Sequence, residues 1–331
     1  MGIKKLEIKN LKLFKAFIQL VRWPNLVFIA VTQLIFLYCI ERPIFIEAGI
    51  QTNVRGIYFL CLVVASVCIA AAGNIINDYF DLNIDQVNKP NKVVVDRIIS
   101  RRWVIVWHLM LSIVGIALGF IIDIYTNVRF LGIANLITVL LLFFYSISLK
   151  KKFLVGNVVI SLLTAWVIMV ITYCETNHLL DVFRTDSSLQ ADKLSRFTFL
   201  YAGFAFIISL IREVIKDMED IEGDRRFGCK TMPIVLGLNA TKVFVLVWLT
   251  VLIVALIIVQ FYVLQFGWWF WVSALYCFLF VVFPLVKIFN QLIKAQTATD
   301  FHKISSIVKV VMLMGILSML FFYFIPTNWY K

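Results

Sequence analysis

GIYFLCLVVASVCIAAAGNIINDYFDLNID, residues 56–85, joins two properties that seldom meet in one segment. Residues 56–77 carry no charged side chain, and at 1.5 Å per residue such a run crosses about 30 Å of hydrocarbon as a helix. The segment then ends on Asn77, Asp78, Asp81 and Asp85. Ionised groups at the edge of a membrane span are costly to bury and so point to function.

The rest of the chain repeats the apolar half of this pattern. Further spans are expected near 24–40, 103–122, 128–148, 154–173, 197–214, 242–262, 266–287 and 305–325, which makes nine. The 331 residues are 62% hydrophobic and 15% charged, with a mean hydropathy of +0.94, far from the balance of a soluble domain. An all-α, polytopic membrane protein is the expectation. No linker or low-complexity tract divides it, so residues 1–331 read as a single membrane domain. The 174–196 segment reads as an external surface loop, with room for a short interfacial helix.

The net charge of +12 follows from orientation. With the N-terminus in the cytoplasm, the basic tail 1–23 (Lys4, Lys5, Lys9, Lys12, Lys15, Arg22), the loops 79–102 and 212–242, the run Lys150–Lys152 and the segment 287–309 all face inward. This satisfies the positive-inside rule, and an odd number of spans leaves the C-terminus outside a cell membrane. A nucleic-acid partner is therefore not required. No small-residue cleavage site follows the tail, so it does not read as a removable signal. Trp23, Trp103, Trp268, Trp269 and Trp271 fall at span edges, as interfacial anchors do. The six cysteines and three histidines form no pattern with metal-ligand spacing.

A second acidic run, Asp217, Glu219, Asp220, Glu222 and Asp224, follows the sixth span. Asp220 and Asp224 lie three and seven residues beyond Asp217, as Asp81 and Asp85 do beyond Asp78. Basic residues follow both runs: Lys89 and Lys92 after the first, Arg225, Arg226 and Lys230 after the second. On a helix, Asn77, Asp81 and Asp85 share one face, and so do Asp217, Asp220 and Asp224 with Glu213 one turn earlier. A single aspartate at an interface is ordinarily just solvated. Two stripes at matching depth are different, because packed like charges repel unless a cation joins them. Hard oxygen donors of this kind suit Mg²⁺ together with phosphate oxygens. Arg212 and Lys216, inside the second acidic helix, can either pair with its carboxylates or meet a diphosphate.

On these residues the chain resembles the UbiA superfamily of intramembrane prenyltransferases. The signature NDxxDxxxD stands as Asn77, Asp78, Asp81 and Asp85, and DxxDxxxD as Asp217, Asp220 and Asp224. Arg22-Trp23-Pro24-Asn25, Tyr145-Ser146, Leu149-Lys150 and the stretch Lys230 to Pro233 support the match. The resemblance implies nine helices around a central cavity, with active-site loops at 79–102 and 212–242. It also implies Mg²⁺-dependent transfer of a polyprenyl group from its diphosphate to a lipid-soluble or phosphate-bearing acceptor, among membrane lipids. Asn77, Asp81, Asp85, Asp217, Asp220 and Asp224 become the metal ligands. Asp78, Asp81, Asp217 and Asp220 become catalytic, and Asn77, Lys89, Lys150, Arg212, Lys216, Arg22 and Asn25 substrate-binding. The stretches around both signatures look most like members that prenylate geranylgeranylglyceryl phosphate. Where many members carry a basic N-R-P-x-R-P run, this chain has Asn88-Lys89-Pro90-Asn91-Lys92-Val93. Lysine keeps the charge and loses the guanidinium fork, so an aromatic acceptor such as 4-hydroxybenzoate or a naphthoate stays open. A transporter is the alternative from another class, though its acids would be expected near the bilayer midplane.

Overall fold

The computed structural model describes residues 12–47, 49, 51–90, 93–182, 188–263 and 268–323. These are helical apart from turns and one isolated bridge, Val95 with Ile99. Among the described residues, eight helices are long and apolar enough to cross a membrane: Trp23–Ile46, Ile57–Phe80, Arg101–Tyr125, Val155–Thr176, Gln190–Glu219, Gly237–Phe261, Phe270–Lys294 and Ala298–Tyr323. Leu131–Ile147, at 17 residues, spans roughly 26 Å. It starts later than expected because the turn before it is capped from the preceding helix. Asp123 accepts hydrogen bonds from the amides of Leu131 and Gly132, both at 2.9 Å.

The chain forms two compact units, residues 1–31 with 53–150 and residues 32–52 with 151–331. In the first unit, small residues let helices approach closely. A Cβ on Gly115 would lie 2.5 Å from Ile69 Cγ1, and one on Gly119 would lie 2.9 Å from Gly132 Cα. Asn135 donates across this contact to the Gly115 carbonyl at 2.9 Å, satisfying a polar group that lipid could not. Residues 12–20 are helical, and Ala16, Leu20 and Val21 pack with Ala71, Ile75, Leu82, Val94, Val95 and Ile99. The inner half of the basic tail and the 79–102 loop thus share a core beside the first acidic run.

In the second unit, Val155–Val182 packs along Ser188–Glu219, which also packs against Ala298–Leu317. The 174–196 segment is a correction to the expected external loop: helix continues to Val182 and resumes at Ser188. Cys174, Ala191 and Leu194 are buried there, and the Thr172 and Thr198 hydroxyls are hydrogen-bonded to each other. Beyond the apolar window, Thr176 Oγ1 donates to the Thr172 carbonyl at 2.9 Å, so this hydroxyl is satisfied within the helix. Trp23, Trp103 and Trp271 are exposed, at 53, 59 and 63%, as interfacial anchors require. The side chains of Trp268 and Trp269, with Lys92 and residues 324–331, lie outside the described residues.

Candidate active site

The first acidic run is built by one helix that breaks and resumes in register. Ile57–Phe80 stops at Asp81, whose φ and ψ of −86° and −3° lie at the edge of the helical region, and Leu82–Asn88 follows. The i to i−4 ladder survives the break. The amide of Asp81 donates to Asn77 O at 2.9 Å, that of Asp85 to Asp81 O at 2.8 Å, and that of Lys89 to Asp85 O at 2.8 Å. Asn77, Asp81 and Asp85 therefore keep the shared stripe that their spacing predicts.

Two cations are held on this stripe. Arg22 sits in a left-handed turn with φ of 55°, after a residue whose carbonyl accepts from Asn74 Nδ2 at 2.9 Å. Its Nη2 reaches Asp78 Oδ1 at 2.5 Å, and that carboxylate pushes the Arg22 pKa above its ordinary value. Lys150 Nζ lies 2.5 Å from Asp81 Oδ1 and 3.1 Å from Asn77 Oδ1. Asn77 Nδ2 donates to Asp81 Oδ2 at 2.8 Å. Asp85 has no side-chain cation at ion-pair distance among the described residues. Burial, then the charges of Asp81 and Asp78, push its pKa up to about 6, against the pull of Arg22 and Lys89.

These residues fit a divalent cation by their chemistry. Three carboxylates and an amide oxygen are hard donors, and among the described residues Asp85 makes no ion pair, with Arg22 and Lys89 acting on it only at longer range. Asp78 and Asp85, with Leu82 and Val93 to Val95, line a cleft of about 20 Å³, room for one water-sized species. Among the described residues, no three His, Cys, Asp or Glu side chains converge into a finished metal cage. Asp78 and Asp81 are turned onto Arg22 and Lys150 instead. Asn25 contributes its amide to the Arg22 carbonyl at 2.9 Å and makes no side-chain hydrogen bond among the described residues.

The second run repeats the same local construction. Ser188–Glu219 stops at Asp220, with φ and ψ of −97° and 10°, and Ile221–Arg226 follows. The amide of Asp220 donates to Lys216 O at 2.9 Å and that of Asp224 to Asp220 O at 3.1 Å. In both runs the middle aspartate occupies the sparsely populated bridge region, where active-site residues often sit. Asp217 accepts from Asn157 Nδ2 at 2.8 Å, and Asp224, Glu213 and Asp220 are the carboxylates whose charge acts on it. Arg212 and Lys216 take the first of the two roles open to them: both pair with Glu213, at 2.7 and 3.1 Å. On the far side of the helix, Glu219 meets His302 Nδ1 at 2.9 Å and Ser305 Oγ at 3.5 Å.

Asn157 and His302 were missing from the residues singled out by sequence. Asn157 does leave a trace, an amide in an otherwise apolar stretch where an unpaired polar group is costly. His302 leaves none, because its partner lies 83 positions away.

Fold and signatures together define an all-α intramembrane prenyltransferase. The profile of the UbiA prenyltransferase family matches residues 34–307, and the chain belongs to that family. A digeranylgeranylglyceryl phosphate synthase of Methanosphaera stadtmanae is 28% identical over 279 residues, covering 83% of this chain and 92% of that protein. The enzyme of the same name from Pyrococcus abyssi is 32% identical over 227 residues, 67% of this chain and 69% of its own. Among solved structures, the apo form of a UbiA homolog from Aeropyrum pernix K1 shares the fold with a TM-score of 0.59 at 16% identity, over 88% of this chain and 98% of that one. A UbiA homolog from Archaeoglobus fulgidus bound to DMAPP and Mg²⁺ does so with a TM-score of 0.51 at 12% identity, over 92% of this chain and 98% of that one.

Proposed function

We propose that this prenyltransferase moves a polyprenyl group from its diphosphate to geranylgeranylglyceryl phosphate and that both acidic runs bind Mg²⁺ for the purpose. The observation that carries the metal reading is the Asp85 carboxylate, without an ion pair among the described residues, lining with Asp78 a cleft of about 20 Å³. The acceptor is supported by relatives named digeranylgeranylglyceryl phosphate synthase, one of them aligned over 92% of its length.

Asn77, Asp81 and Asp85 are the ligands of the first run, and Asp217, Asp220 and Asp224 those of the second. Asp78, held by Arg22, orients those of the first run. When bound, Mg²⁺ offsets the charge of the diphosphate and makes it a better leaving group. Arg22, Lys89 and Lys150 hold phosphate oxygens by charge-assisted hydrogen bonds. Arg212 and Lys216 act through Glu213, which they keep neutralised. The allylic C–O bond to the diphosphate breaks, the acceptor hydroxyl oxygen bonds to that carbon, and its proton leaves to water. Both runs face the cytoplasm of a cell membrane in this reading, as does the N-terminus.

The test uses membranes from cells that make the protein, supplied with labelled geranylgeranyl diphosphate. Geranylgeranylglyceryl phosphate is expected to become prenylated and 4-hydroxybenzoate not, and the converse would replace the acceptor. Asp81→Ala and Asp220→Ala are each expected to lower turnover by roughly 100-fold or more. Near-normal turnover in either variant would remove that run from the metal assignment.

A further inference from the structure

Arg22 and Lys150 occupy the very oxygens that the metal reading assigns to Mg²⁺ or to its immediate neighbours. Arg22 is on Asp78, while Lys150 bridges Asp81 and Asn77. The Lys150 and Asp81 side chains are 11 and 17% exposed, so water screens their attraction poorly and the pair is stronger than a surface one. Both cations are placed by structure rather than by chance approach. Arg22 hangs from a left-handed turn whose preceding carbonyl Asn74 holds, and Lys150 from the turn Leu149–Lys151. A lysine ammonium and a divalent cation cannot share the same carboxylate lone pairs without like-charge repulsion. Lifting Lys150 off Asp81 with nothing to receive it would leave a largely buried ammonium unpaired, which is costly. An incoming diphosphate is an anion that can receive it.

We propose that Arg22 and Lys150 are placeholders: in the metal-free protein they occupy Asp78, Asp81 and Asn77, and they yield these oxygens only when a diphosphate arrives to take them. Metal and donor then load together, and the empty first run does not collect divalent cations by itself. The coupling is reciprocal, so the diphosphate also binds more tightly when metal is present. This inference rests on the Mg²⁺ reading above and adds an order of loading to it.

The test measures binding rather than turnover. Full-length protein in detergent micelles is titrated with Mn²⁺, followed by its electron paramagnetic resonance signal, with and without inorganic pyrophosphate. Wild type is expected to bind Mn²⁺ weakly alone. Lys150→Gln is expected to bind Mn²⁺ alone about tenfold more tightly and pyrophosphate more weakly, on the scale of one charge-assisted hydrogen bond. Lys152→Gln, which removes the same charge from an exposed neighbour, should change neither affinity by more than about twofold, and Lys150→Arg should behave as wild type. If Lys150→Gln does not fold, Arg22→Gln provides the same comparison against Asp78. Equal Mn²⁺ affinity in wild type and Lys150→Gln, or an equal gain in Lys152→Gln, overturns the placeholder role and leaves the metal site standing. No Mn²⁺ binding in any variant, even with pyrophosphate, overturns the metal reading beneath it.

Discussion

Asp85 sets the pH behaviour of the first acidic run. Its carboxyl is pushed up from 3.8 to about 6, first by burial and then by Asp81 and Asp78. The fold therefore favours the protonated form. In metal-free protein this contributes stability below about pH 4, and the contribution is lost as pH rises through about 6. Metal binding needs the carboxylate, so the Mg²⁺ concentration for half-maximal activity should rise as pH falls from 7 to 5, and Asp85→Asn should flatten that dependence. A Mg²⁺ requirement that does not change over this window would remove Asp85 from the ligand set. Asn157 offers a second residue-scale test, because it is the side chain that donates to Asp217. Asn157→Leu should leave this carboxylate short of a partner and raise the Mg²⁺ requirement severalfold, at a cost of about 1–3 kcal/mol, while Asn157→Gln retains part of the bond. The stripes were legible in sequence because the i to i+4 rule is local. Their partners were not, since Arg22, Lys150 and Asn157 reach them across 56, 69 and 60 positions.

At the scale of elements, the two acidic runs match in more than spacing. Each is the end of a membrane helix that breaks at the middle aspartate and restarts without losing its hydrogen-bond register. Helical spacing placed the acids of each run on one face and left unmarked where either helix breaks. The break is what a sequence pattern cannot express, because a single bridge-region residue leaves the apolar periodicity on either side intact. Helix length was also hard to read, for the opposite reason: apolar windows under-report helices whose ends carry polar side chains satisfied by the helix itself, as Thr176 is by the Thr172 carbonyl. Glycine spacing is more direct. Gly115 and Gly119 lie one turn apart on Arg101–Tyr125 and meet Ile69 and Gly132. A Cβ at Gly119 would press on Gly132 backbone, which cannot rotate away as a side chain can. Gly119→Val should therefore lower the thermal midpoint in detergent by the equivalent of about 1–3 kcal/mol. An unchanged midpoint would mean that these helices do not pack as closely as described.

At the scale of the whole molecule, orientation ties the charge pattern to the chemistry. Most of the 31 Lys and Arg residues fall in segments that the positive-inside rule places in the cytoplasm, and both acidic runs fall among them. A diphosphate donor made in the cytosol would then reach Arg22 and Lys150 without crossing the bilayer. This reading makes a topological prediction at two exposed positions, Gln51 after Trp23–Ile46 and Arg226 after Gln190–Glu219. In intact cells, a membrane-impermeant maleimide should label Gln51→Cys, and it should label Arg226→Cys only after permeabilisation. The native thiols interfere little, because Cys39, Cys174, Cys229 and Cys277 are buried and Cys61 and Cys68 are half-buried within the apolar helix Ile57–Phe80. The reverse labelling pattern would put the acidic runs outside the cell. A cytosolic diphosphate could not then be the donor, whatever metal the aspartates bind.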